Sequence, residues 1–143
     1  MGNLDRHPPR IFVADDDRAI LDLITTRLDL AGYHTTQARD GWEALEGIYA
    51  SRPAALVLDI GMPRLDGLGV LRHLRKTPSF ASLPVMMVTA RNTPMEVRSA
   101  MELGARDFLT KPFEDAQLLS RVARMLRRRA PPPRQNDPVI LAC

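Results

Sequence analysis

Asp59 follows the apolar run Ala55-Leu56-Val57-Leu58, and Asp15-Asp16-Asp17 follows another, Ile11-Phe12-Val13-Ala14. An aspartate closing a buried strand faces the rim where open α/β sheets bind ligands. Three carboxylates at close range raise one another's pKa unless a cation intervenes. Mg²⁺ is the cation expected at Asp15, Asp16 and Asp59, because it takes oxygen ligands and keeps several waters. With the metal screening an incoming phosphate, Asp59 becomes a nucleophile that attacks phosphorus and forms an acyl phosphate. Two more strand ends complete the set. Lys111 can neutralise a phosphoryl oxygen as a point charge, and the Thr89 hydroxyl can donate a hydrogen bond to the same group.

Positioning those residues requires strands that end on one edge. Ile11–Ala14, Tyr33–Ala38, Ala55–Leu58, Pro84–Val88 and Phe108-Leu109 read as five strands. Between and after them run helical patterns: Ile20, Leu21, Ile24 and Leu28; Trp42, Leu45 and Ile48; Leu68, Leu71, His73 and Leu74; Val97, Ala100, Met101 and Leu103; Leu118, Leu119, Val122 and Leu126. Asp17 is read as the N-cap of the first helix rather than as a ligand. Gly32 and Gly104 are read as helix stops. Continuous apolar strands alternating with amphipathic helices predict a doubly wound five-stranded parallel sheet, (βα)5, covered on both faces.

Several readings are bland by comparison. Met86, Met87, Met95 and Met101 are expected in the core and in helix packing, and Trp42 is expected to pack its helix. His7, His34 and His73 lack the Cys/His spacing of a zinc site. None of the three lies on a four-helix face suited to a phosphorelay histidine. Cys143 is the sole cysteine of 143 residues, so no internal disulfide forms and a reducing, cytoplasmic setting is expected. No apolar stretch approaches the roughly 20 residues of a membrane span. The net charge of +3 is concentrated at one end: residues 124–143 hold five Arg and one Asp. The remainder is nearly neutral, which argues against direct nucleic-acid binding by the domain.

Taken together, Val13-Ala14-Asp15-Asp16-Asp17, Leu58-Asp59-Ile60-Gly61-Met62-Pro63, Leu65-Asp66-Gly67, Val88-Thr89-Ala90 and Lys111-Pro112-Phe113 resemble the receiver domain of two-component response regulators. The resemblance spans residues 10–129, leaving a flexible arm at 1–9 and a Pro/Arg-rich linker or tail at 130–143. It implies a flavodoxin-like, CheY-like fold and a signalling phospho-acceptor rather than an enzyme. Asp59 would accept the phosphoryl group from a sensor histidine kinase or a small acyl phosphate. Asp16 would ligate Mg²⁺ directly and Asp15 largely through water, with the backbone carbonyl of Gly61 as a further ligand. Thr89 would be the switching hydroxyl, Lys111 the phosphoryl contact and Phe108 the switch aromatic. A cis bond before Pro112 is also implied. Gly61 and Arg91 occupy rim positions that bear on dephosphorylation: Gly61 leaves the approach open, whereas Arg91 is long enough to cover the phosphate.

Two outputs are open. The chain is either a single-domain regulator acting on a downstream protein, or the receiver of a longer DNA-binding regulator of the OmpR/PhoB class. In the second case Val139–Ala142 would begin the fused effector. That class pairs receivers as homodimers through the fourth helix, fifth strand and fifth helix, where Asp107, Arg121 and Arg128 match its charged pattern. Val97 and Gln117 do not. A haloacid-dehalogenase-type phosphatase would also use an aspartate nucleophile and Mg²⁺. It would need a second aspartate two residues later as general acid, and Gly61 stands there.

Overall fold

A computed structural model describes residues 7–128. Residues 1–6 and 129–143, including most of the expected arm and all of the expected tail, lie outside the described residues. Five strands, β1 (Arg10–Ala14), β2 (His34–Ala38), β3 (Ala55–Leu58), β4 (Val85–Thr89) and β5 (Asp107–Thr110), alternate with five helices. These are α1 (Arg18–Leu30), α2 (Gly41–Ser51), α3 (Gly67–Lys76), α4 (Pro94–Glu102) and α5 (Asp115–Arg128). The strands pair in parallel, in the order β2-β1-β3-β4-β5. The expected doubly wound sheet is therefore the one observed, with its order reversing between β1 and β3.

The alternation of side chains explains why the strands are apolar throughout. Ile11, Val13, Val57, Met86 and Val88 point to one face and pack with Leu21, Ile24, Leu28, Leu118 and Val122 of α1 and α5. Phe12, Ala14, Leu56, Leu58 and Met87 point to the other and pack with α2, α3 and Ala100 of α4. Each such large side chain, fully buried, contributes about 1.5–3 kcal/mol, so both layers hold the sheet edge in place.

The starts of α1 to α4 follow one rule. Asp17 accepts from the backbone N–H of Ala19 and Ile20, as expected. Asp40, Asp66 and Thr93 cap α2, α3 and α4 in the same way. Gly32 and Gly104 adopt φ of +101° and +85° just past α1 and α4, as helix stops should. The expected packing of Met95 and Met101 is corrected: they are 73% and 47% exposed. In α4 only Ala100 is buried, so this helix rests on the sheet by a narrow seam and turns its methionines outward. Trp42 is only half-covered, meeting His73 edge to face at 5.5 Å.

Candidate functional site

Register brings the acidic residues together. Ala14 pairs with Leu58 at the carboxyl ends of β1 and β3, so the next residues, Asp15 and Asp59, stand side by side. Backbone bonds fix both: Asp59 N–H donates to the Ala14 carbonyl at 3.0 Å, and Asp15 N–H to the Ala38 carbonyl at 3.1 Å. Carboxylate oxygens of Asp15, Asp16 and Asp59 lie within 4.8 Å of one another. Asp15 and Asp59 are buried, whereas Asp16 is exposed at the mouth.

Lys111 crosses from the loop after β5. Its Nζ lies 2.7 Å from Asp15 Oδ2 and 3.3 Å from Asp59 Oδ2. The Lys111 N–H donates to the Thr89 carbonyl at 3.0 Å, which ties the loop to the end of β4. The Lys111–Pro112 bond is cis. Burial pushes the Asp15 carboxyl above its ordinary range; Lys111 and the Asp17 N–H oppose the rise, and the Asp59 charge adds to it. For Lys111, burial works against the ammonium, but the hydrogen bond and charge of Asp15 and the charge of Asp59 outweigh it and raise its pKa.

Among the described residues, three carboxylates against one ammonium leave a pocket with excess negative charge, built of oxygen donors on the acidic side. That donor set fits a hard divalent cation such as Mg²⁺. Asp16 is the exposed member and Asp15 already has both oxygens engaged, Oδ1 by the Asp17 N–H at 2.9 Å and Oδ2 by Lys111.

Thr89 is fully buried, and its Oγ1 accepts from the Arg91 N–H at 3.0 Å, so its own proton is free to be donated. Phe108 is half-buried on β5 and packs on the α2–α3–α4 layer. The Gly61 N–H donates to Asp59 Oδ1 at 3.3 Å. The approach beside Gly61 is less open than its side chain suggests, because a Cβ there would lie 3.3 Å from Arg91 Cδ. Arg91 lays its stem along this rim, and its guanidinium is held by Glu96 Oε2 at 2.6 and 2.8 Å, with Nη1 still 3.9 Å from a Cβ at Gly61.

Sequence reasoning recognised Leu65-Asp66-Gly67 only as part of a pattern. Asp66 caps α3 through the Gly69 N–H at 2.8 Å. Gly67 packs against the backbone of Asp59: a Cβ there would fall 2.1 Å from the Asp59 carbonyl oxygen. The Asp-Gly pair in the sequence was the available signal. Thr93 and Glu96, which cap α4 and hold Arg91, were also missed; Thr-Pro followed by Glu was the corresponding cue.

A β1/β3 switch point lined by carboxylates and crossed by a lysine defines a class of phosphoryl-accepting signalling domains. The response regulator receiver domain family matches residues 11–123, and the chain belongs to that family. It is 47% identical over 122 residues to the response regulator MprA of Mycobacterium avium, covering 85% of this chain and 53% of that protein. It is 44% identical over 133 residues to MprA of Mycobacterium sp. strain KMS, covering 93% and 57%. The chain thus spans about half the length of the curated relatives it matches. Among solved structures, the receiver domain of the Francisella response regulator 1452 superposes with a TM-score of 0.77 at 37% identity, covering 84% of this chain and 98% of that one. The Vibrio cholerae chemotaxis protein CheY4 gives 0.78 at 27%, covering 82% and 98%. The chain is a receiver domain of a two-component response regulator, and no helix among the described residues is long and apolar enough to cross a membrane.

Proposed function

We propose that Asp59 is the phospho-acceptor of this receiver. The observation that carries the reading is the bridge from Lys111 to both Asp15 and Asp59 at the carboxyl edge of the sheet. Asp59 attacks the phosphorus of a phosphohistidine on a sensor kinase, or of a small acyl phosphate. The new O–P bond forms as the bond to the donor breaks, and the donor group leaves with its bonding pair. Asp16, Asp59, the Gly61 carbonyl and, largely through water, Asp15 would hold Mg²⁺, which supplies charge neutralisation for the transferring group. Lys111 then pairs with a phosphoryl oxygen, and the free proton of Thr89 is donated to another. Moving Thr89 draws on its bond to Arg91, and Phe108 adjusts in the space between β5 and α4. Phosphorylation in this scheme shifts a pre-existing equilibrium between two surfaces.

The domain acts as a signalling switch and not as a turnover enzyme. A phosphatase of the haloacid-dehalogenase type lacks its general acid here, because Gly61 offers Asp59 only a backbone N–H. Residues 10–129 form the receiver in this reading, a cytoplasmic module with no nucleic-acid contact of its own. The longer-regulator output is favoured by the roughly half-length span of the relatives matched. A homodimer through α4, β5 and α5 is compatible with the exposed Met95 and Met101. There Asp107 is already engaged within the chain by Arg121 at 2.8 Å and Arg124 at 2.9 Å.

Intact-mass measurement tests the central step. With acetyl phosphate and Mg²⁺ the protein should gain one phosphoryl group, and chelation or Asp59→Asn should abolish the gain. No gain, or a gain that persists in Asp59→Asn, would refute it.

A further inference from the structure

A cavity lies away from the acidic cluster. It has a volume of about 310 Å³ and lies at the opposite edge of the sheet, where β3, β4 and β5 begin. Its floor is apolar and buried, formed by Pro53, Phe80, Leu83 and Pro84. Its rim carries Arg52, Arg106, Ser79 and Ser82.

Three features mark this rim as more than a solvated charged surface. First, its cations have no counter-charge: among the described residues neither Arg52, Arg106 nor the adjacent Arg75 pairs with a carboxylate. Asp107, next to Arg106 in the chain, spends its oxygens on Arg121 and Arg124 instead. Burial, and then the charge of Arg106, push Arg75 below its ordinary pKa, as uncompensated positive charge should.

Second, the walls are pinned. The Arg75 guanidinium donates to the carbonyls of Phe80, Leu83, Leu103 and Gly104 at 2.7–3.2 Å. It thereby fixes the segment that bears Ser79 and Ser82 relative to the turn that leads to Arg106. Third, Arg52 is held in an unusual conformation. It ends α2 with φ 48°, ψ 65°, a left-handed geometry that glycine or asparagine adopts more readily. Its guanidinium lies 5.7 Å from the Phe80 ring centroid, and Phe80 in turn stacks on Tyr49 at 5.3 Å. An arginine is thus placed at the rim in a backbone conformation that does not favour it.

We propose that this cavity is a second ligand site, which binds a small phosphate-class polyanion between Arg52 and Arg106. Guanidinium forks match phosphate oxygens in bidentate fashion, and the Ser79 and Ser82 hydroxyls add neutral donors. The volume exceeds what a bare ion fills and sits at the low end for small-molecule sites. The site lies across the sheet from Asp59, so its occupancy is separable from phosphoryl transfer.

Titration calorimetry with pyrophosphate in the presence of a chelator, which keeps divalent metal off the acidic edge, tests the assignment. Saturable binding is expected, and it should persist in Asp59→Asn. Arg106→Gln should weaken it about tenfold, the loss of a charge-assisted hydrogen bond. Arg52→Gly separates binding from folding, since glycine suits the left-handed backbone: this variant should melt no lower than the parent and still bind pyrophosphate more weakly. The site is overturned if binding is not saturable, if sodium chloride at matched ionic strength reproduces the heat, if either arginine variant binds like the parent, or if Asp59→Asn abolishes binding.

Discussion

The two edges of one sheet carry opposite chemistry. At the carboxyl edge, Asp15, Asp16 and Asp59 gather, and the buried pair Asp15 and Asp59 shares the ammonium of Lys111. At the amino edge, Arg52, Arg75 and Arg106 gather with no carboxylate paired to any of them among the described residues. Parallel strands make this polarity possible, because every strand delivers its last residue to one side and its first to the other. The comparison teaches that buried charge is managed in two ways. The carboxyl edge uses ion pairing and leaves excess negative charge suited to a cation. The amino edge uses backbone carbonyls, four of them on Arg75, and leaves its excess positive charge at a cavity.

The largest expected effect separates these strategies. Lys111→Met removes the one ammonium that, among the described residues, pairs with the buried Asp15 and Asp59, and should cost about 3–5 kcal/mol in metal-free buffer. Denaturant unfolding measures the loss, and Mg²⁺ should restore part of it by binding the native state. No loss would mean that the carboxyl edge does not rely on Lys111. Arg75→Ala should cost less, about 2–3 kcal/mol, because four carbonyls lose a charged donor but no opposite charge is stranded. Mg²⁺ should restore nothing in this variant; recovery with metal would erase the distinction between the edges.

A smaller effect probes the rim of the acidic edge. Burial opposes the charge on Glu96, but the hydrogen bonds from Arg91 and Thr93 and the charge of Arg91 together outweigh it and hold its pKa below the ordinary 4.5. A carboxyl depressed on folding contributes stability that is present above the unfolded value and lost as pH falls through the folded one. Thermal melts of the parent and Glu96→Gln should therefore differ slightly at neutral pH and converge as the pH falls below 4.5. A difference that grows on acidification would show that Glu96 is not charged by this pairing.

The two edges also differed in how far they could be read from the chain alone. Asp15, Asp59, Thr89 and Lys111 were legible because each follows an apolar strand, and a parallel sheet brings such positions to one rim. The fold was legible for the same reason, since strand and helix periods alternate cleanly. The amino edge was not. Arg75 and Arg106 look like solvated charges until the fold brings Arg75 to the Leu103 carbonyl, 28 residues away. Met95 and Met101 were misread because residue type does not tell which face of a short helix is covered, and α4 buries only Ala100. Asp66 and Gly67 were visible as a pattern, but the contact of Gly67 with the Asp59 carbonyl is a property of packing.

The central claim is that the carboxyl edge receives phosphate at one residue. Its most direct test is to phosphorylate the protein with acetyl phosphate and Mg²⁺, fragment it under conditions that preserve acyl phosphates, and locate the modified residue by mass spectrometry. The account predicts a single modified position, Asp59, that disappears when metal is chelated. Modification at Asp15 or Asp16, or at Asp59 without any metal dependence, would contradict it.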